Sequence, residues 1–334
     1  MYGVGVIGCG GMGRSHAGHF ASLPDAEVVA CADSNPDAAQ RLAAQHHART
    51  YTDAQQFLDD PRVHIVVICT PTSLHAGLIE SAARRGKHVF CEKPIARALA
   101  DARRAIDAAK ASGVKLMIGH VLRFFPEYAA AKKLLDDGAV GRPAVVRTTR
   151  NSGHPRTAGD WFGDPDQSGG VMVDMIIHDL DFLLWCFGPA ERVYCRALTY
   201  RGPELTDYGL ATVRFKNRVI AHVEGSWAHP PGTFFTKLEI AGDAGLIDYD
   251  SQASSPLQVW KKAVGDEKAP GVVVPESPLA ESPYQIEVCE FMDAVRAGRE
   301  PCVTPEDAYN ALELALAALE SSRRGEPVNL PLPA

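Results

Sequence analysis

The sequence predicts an α/β chain of two domains, a doubly wound parallel sheet followed by an α+β domain built on an open, mostly antiparallel sheet. Three observations carry this. Short, wholly apolar runs at 4–7, 65–68 and 116–118 alternate with helical patterns, as when crossover helices bury a parallel sheet on both faces. Beyond residue 145 the runs lengthen and mix apolar with polar side chains, which suits strands with one face covered. The length of 334 residues exceeds one typical core and suits two. Domains are expected at 1–122 and 123–334, with a helix over about 305–324 that can pack back on the first.

The strand at 4–7 runs into Gly8, Cys9, Gly10, Gly11, Met12 and Gly13, then a helical stretch over 14–23. Strand, Gly-x-Gly-x-x-Gly and helix in that order form a dinucleotide-binding pattern. The first glycine makes the tight turn, the second lets a pyrophosphate approach the backbone, and the third packs helix on strand. The helix start offers free N–H groups to phosphate. A second strand over 27–32 ends in Asp33, about 20 residues beyond the last glycine, where a carboxylate accepts the ribose hydroxyls. Ser34, Asn35 and Pro36 follow with no Arg or Lys, so NAD is expected as cofactor, with NADP possible. These features predict a Rossmann domain.

The alternation continues. The strand at 65–69 leads through Thr70, Pro71 and Thr72 into a helix carrying His75, and the strand at 88–91 leads into Glu92, Lys93 and Pro94. Right-handed crossovers place all of these at the carboxyl ends of the strands, where ligands of such sheets bind. Thr70, Pro71, Thr72, His75, Glu92 and Lys93 therefore join Gly8, Gly10, Gly11, Met12, Gly13, Asp33 and Ser34 as candidate cofactor contacts. For His75 a capping or surface position is the alternative.

In the second half, strands are expected at 145–149, 192–200, 208–215, 219–227 and 234–240, with Asn217 at a hairpin turn. Helices would cover one face of this sheet, and a second subunit could cover the other. A homo-oligomer is expected. The segment 169–185 is too apolar all round for a surface helix. At about 100° per residue, Asp174, His178 and Asp181 fall within about 60° of one another and form one polar stripe, while Asp179 points away. A buried helix that keeps ionisable groups in line is expected to face a polar cleft, where a histidine beside a carboxylate serves as general base. The alternative is an Asp–His pair that caps the helix or bridges domains. His120, Arg123, Asn151, His154, Asp160 and Trp161 lie where they could reach a pocket, although each alone is an ordinary structural residue. A polar stretch at 265–276 reads as a surface loop.

Composition excludes other classes. A formal charge of -7 and a pI near 5.9 leave no basic surface for nucleic acid. The N-terminal residues lack a basic, apolar leader, and no run approaches a membrane span, so a cytoplasmic protein is expected. Eight scattered cysteines without a C-x-x-C pair read as buried thiols in a reducing compartment, with no metal site.

With the glycine loop, Asp33, Glu92-Lys93-Pro94 and Asp174/His178 in view, the chain resembles the Gfo/Idh/MocA oxidoreductases, the group of glucose-fructose oxidoreductase and inositol dehydrogenase. The resemblance spans nearly the whole chain, including Thr70-Pro71-Thr72-Ser73-Leu74-His75 and Arg123-Phe124-Phe125-Pro126-Glu127-Tyr128. It implies NAD(P)-dependent oxidation of a secondary hydroxyl on a sugar, sugar acid or cyclitol, and narrows the expected homo-oligomer to a homodimer or homotetramer. The family's catalytic lysine falls on Lys93, and its aspartate and histidine on Asp174 and His178: the histidine takes the hydroxyl proton and the lysine hydrogen-bonds the reacting oxygen. Pro94 matches a proline whose preceding bond is often cis. Lys93, His120, Arg123, Asn151, Trp161, Asp174 and His178 are the expected substrate contacts. The segment 151–167 matches no particular substrate subgroup. An NAD-dependent glycoside hydrolase using transient oxidation, or a non-catalytic sugar or cofactor sensor, are the alternatives.

Overall fold

The computed structural model describes residues 1–155, 160–199, 207–254, 256–261, 270–271 and 281–333. The chain forms two compact units, Met1–Val121 with Glu281–Tyr309, and Leu122–Ala280 with Asn310–Ala334.

The first unit holds six strands: β1 (Tyr2–Ile7), β2 (Ala26–Ala32), β3 (Arg49–Tyr51), β4 (Ile65–Ile68), β5 (His88–Glu92) and β6 (Leu116–Gly119). They are ordered β3-β2-β1-β4-β5-β6, and every pairing is parallel. All four residues of β4 and five of six in β1 are buried, as expected for strands covered on both faces. The order reverses between β1 and β4, so the loops after these strands flank the switch point at which such sheets bind ligands. The helix Pro283–Ala297 returns to this unit, with Phe291 edge-on to Phe20 and Phe90. No local pattern near residue 283 announced that destination.

The second unit is built on β7 (Pro143–Gly153), β8 (Ala190–Leu198), β9 (Tyr208–Phe215), β10 (Ile220–His229), β11 (Phe234–Gly242), β12 (Gly245–Asp250), β13 (Leu257–Lys261), β14 (Pro270–Gly271) and β15 (Val328–Asn329). The sheet order among the described residues is β14-β13-β12-β11-β7-β10-β9-β8-β15. Only the β7–β10 pairing is parallel, and the sheet is otherwise antiparallel. Burial alternates along β9, with Ala211, Val213 and Phe215 inside. The opposite face is open and carries exposed Tyr194, Leu210 and Ile220. Asn217 supports the β9–β10 turn by donating to Phe187 O and accepting from Val219 N, while Arg218 takes the left-handed conformation.

Two expectations need correcting. The stretch 265–276 was expected to be a surface loop; Pro270–Gly271 is the short strand β14 paired with β13, and the rest of the stretch lies outside the described residues. None of the eight cysteines forms a disulfide, yet only Cys9, Cys31, Cys91 and Cys195 are buried, and Cys302 is exposed. Among the described residues no helix is long and apolar enough to cross a membrane.

Candidate functional site

In the first unit the glycine loop turns from β1 into the helix Gly11–Ala21. Gly8 has φ +90°, and a Cβ there would lie 2.5 Å from the Cys69 carbonyl group; at Gly13 it would lie 1.9 Å from Gly8 O. Both positions exclude a side chain, the first for conformation as well as space. Gly10 and Gly11 are exposed and face open space, so a phosphate group can reach their backbone. Met12 is half-buried beside them. Asp33 is half-buried at the end of β2, where its carboxylate accepts from Cys9 N at 2.7 Å and Asn35 N at 2.8 Å. The loop and the carboxylate are thus one hydrogen-bonded assembly, and a carboxylate has acceptor sites beyond these two. Exposed Ser34 follows. The residues fit a dinucleotide.

Beyond β5, the Lys93–Pro94 peptide bond is cis. Lys93 and Glu92 are half-buried, and Pro94 is buried. His16 is fully buried, with its Nε2 2.7 Å from Glu92 Oε1. The carboxylate oxygen accepts, so Nε2 carries the proton. Burial works against the Glu92 charge, but this hydrogen bond and the neighbouring His16 and Lys93 charges hold its pKa below the ordinary value. Thr70 and Pro71 are half-buried in the loop after β4, and Thr72 is buried. His75 was expected either to touch the cofactor or to take a helix-capping or surface position. Instead it is 1% exposed, with Nδ1 2.7 Å from Pro94 O and Nε2 2.8 Å from Thr70 O. Both nitrogens face carbonyls, so the ring braces the loop from behind. Burial lowers its pKa against the pull of these two carbonyls.

In the second unit, the expected single helix over 169–185 is two: Gly170–Asp174 and Ile177–Phe187. The break follows from the sheet beneath. Gly209 of β9 is paired with Gly225 of β10, and a Cβ on either would come within 2.3 Å of Met172 Sδ or Ile176 Cγ1 respectively. The glycine pair makes a dent in which these side chains seat, and the chain turns between the helices there. Of the expected stripe of Asp174, His178 and Asp181, the last has an ion-pair partner. Asp181 accepts from Arg123 Nε and Nη2 at 2.8 and 2.6 Å in a buried bidentate pair. Asp179, expected to point away from the chemistry, is also buried and accepts from Arg150 Nε at 2.5 Å. Burial opposes the Arg150 charge, but Asp179 holds its pKa above the ordinary value. Asp174 is buried at the end of its helix, and His178 is the only residue of 168–183 that is not buried.

Several candidate substrate contacts change role. Arg123 is held by Asp181 through two of its five donors. His120 is completely buried at the end of β6 and presents no surface. Asn151 is buried near the end of β7, and its Oδ1 lacks a hydrogen-bond partner among the described residues. His154 Nε2 lies 3.2 Å from Asp160 Oδ1, and its ring is edge-on to Trp227. Trp161 is half-buried and stacked on Phe162 at 3.9 Å. Sequence reasoning missed His16, Arg150 and Asp179. His16 lies three residues past the last glycine, on the buried side of the helix, which was the available signal.

Comparison with known proteins identifies the family. Residues 2–120 match the GFO_IDH_MocA model, described as an oxidoreductase family with an NAD-binding Rossmann fold, and residues 128–248 match the GFO/IDH/MocA C-terminal domain. The chain is 31% identical to inositol 2-dehydrogenase of Rhizobium meliloti (strain 1021), over 95% of this chain and 96% of that protein. It is 30% identical to scyllo-inositol 2-dehydrogenase (NAD(+)) of Bacillus subtilis (strain 168), over 97% and 95%. Among solved structures, levoglucosan dehydrogenase in complex with NADH and levoglucosan superposes with a TM-score of 0.89 at 26% identity, over 99% of each chain.

Proposed function

The chain belongs to the GFO/IDH/MocA oxidoreductase family, with an NAD-binding Rossmann fold in its first unit, and from that premise we propose that it oxidises a secondary hydroxyl of a sugar, sugar acid or cyclitol. The observation that carries the proposal is His178. In a stretch buried on either side, one titratable ring stays accessible, four residues after the buried carboxylate of Asp174.

When bound, NAD supplies the acceptor for the hydride that leaves the carbinol carbon. His178 takes the hydroxyl proton, and Asp174 balances the imidazolium charge that results. Lys93 donates to the reacting oxygen as negative charge gathers on it. The alcohol becomes a carbonyl, with one hydride to the cofactor and one proton to His178. Gly10 and Gly11 present backbone to the pyrophosphate and Asp33 accepts from the ribose hydroxyls, which favours NAD over its phosphorylated form. Asn151 and Trp161 are the proposed substrate contacts among the remaining candidates. The open face around Tyr194, Leu210 and Ile220 is the proposed surface for self-association, and thiols without disulfides suit a cytoplasmic setting.

The inositol and levoglucosan relatives favour polyols over other alcohols. An absorbance screen for NADH over inositols, aldoses, uronates and amino sugars tests the reading. NADH formed in proportion to one polyol is expected. Cleavage of a chromogenic glycoside without net NADH would favour the hydrolase, and binding without turnover a sensor.

A further inference from the structure

We infer that His16 and His75 are positioning residues for Lys93, holding the turn that carries it from both sides; this rests on the proposed role of Lys93. A lysine side chain has a flexible four-carbon stem, so where its ammonium group points depends on how firmly the backbone beneath it is fixed. The residue before Lys93 is held through its side chain and the residue after it through its carbonyl, each time by a buried histidine. His16 donates from Nε2 to Glu92 Oε1 at 2.7 Å, and the other carboxylate oxygen, Oε2, accepts from Lys93 N at 3.3 Å. His75 places Nδ1 2.7 Å from Pro94 O.

Both histidines also reach the loops expected to hold the cofactor. His16 lies on the helix that the glycine loop opens, and His75 Nε2 lies 2.8 Å from Thr70 O in the loop after β4. The ends of β1, β4 and β5 are thereby tied together by side chains that touch no reacting atom. Neither ring is replaceable by packing alone: His16 is 0% and His75 1% exposed, and removing a donor from a buried acceptor leaves that acceptor unsatisfied.

Substitutions separate positioning from packing. Gln places its amide nitrogen near the Nε2 position of histidine and Asn near Nδ1. His16→Gln should therefore keep kcat within about threefold of the parent, whereas His16→Leu should lower it roughly 10- to 50-fold, less than the roughly 100-fold or more expected when an acid–base group is lost outright. NADH affinity, read by fluorescence titration, should stay within about twofold. His75→Asn keeps the link to Pro94 and His75→Gln keeps only that to Thr70, so the Gln variant should have the lower kcat. The deciding measurement is a double-mutant cycle with Lys93→Ala, using the polyol found in the NADH screen. If Lys93→Ala lowers kcat and His16→Leu adds nothing further in that background, the inference stands. An equal loss in both backgrounds, or none in either, overturns it. Should His16→Leu fail to fold, the order of the two His75 variants decides. Normal kcat in Lys93→Ala would instead sink the role of Lys93 itself, and the positioning inference with it.

Discussion

Lys93 and His178 are each held in a largely apolar setting, but by different physics. Around Lys93 the bracing comes from two buried histidine rings set against one carboxylate and two backbone carbonyls. Beside His178, two Arg–carboxylate pairs with almost no exposure, Arg150–Asp179 and Arg123–Asp181, fix the helix on which it sits. Hydrogen bonds to backbone set direction while burying little charge. A buried ion pair sets position too, yet removing one partner strands the other in a place where it cannot be solvated. Precision and stability are therefore separable around Lys93 and coupled around His178.

The sharpest way to break this contrast is at Arg150. Arg150→Met should destabilise the protein by about 3–5 kcal/mol in denaturant unfolding, and adding Asp179→Leu should recover most of that loss. A small cost for the single variant would place the bracing elsewhere. Next in size, His178→Ala and Lys93→Ala should each reduce turnover at least about 100-fold while NADH still binds. Near-normal rates in both would remove the chemical basis of the comparison. Gly225→Val tests the seat beneath Met172 and Ile176: overpacking there should cost about 1–3 kcal/mol and lower kcat, because the chain displaced lies between Asp174 and His178. Unchanged kcat would show that the dent serves stability alone.

The smallest effect concerns acid. Glu92 has a folded pKa held below its ordinary 4.5, so its contribution to stability is complete above about that pH and is lost as pH falls through the folded value. Glu92→Gln should make the acid limb of a stability–pH curve shallower and leave the neutral region nearly unchanged. A steeper acid limb would reverse the sign assigned to this carboxylate.

What could be read from the sequence follows from the range of each interaction. The glycine loop, Asp33 and the Glu92-Lys93-Pro94 turn are contiguous motifs at strand ends, and the strands around them are buried on both faces, so composition alone located them. The segment at 169–185 was misread as one helix because helical periodicity assumes unbroken geometry, and the break is imposed by Gly209 and Gly225 on two later strands. Arg123 and Asp181 are 58 positions apart, Arg150 and Asp179 29, and His16 and Glu92 76. No window of neighbouring residues contains such pairs. Arg123 and Glu92 stood among the candidate ligands, and His16 and Arg150 carried no signal that paired them with a partner so far away.

Asp33 has a consequence for redesign. Its carboxylate holds the backbone amides of Cys9 and Asn35 in addition to the ribose role proposed for it, so cofactor choice is not expected to exchange as an independent module. Cutting Asp33 back to glycine to admit a phosphorylated nucleotide would also slacken the loop meant to grip it. An engineer would do better with Asp33→Ser plus Ser34→Arg, which keeps an acceptor near the Cys9 amide and adds a cation for the phosphate. Higher NADP turnover than in the Asp33→Gly, Ser34→Arg pair would show that the amides matter, and equal turnover would show that they do not.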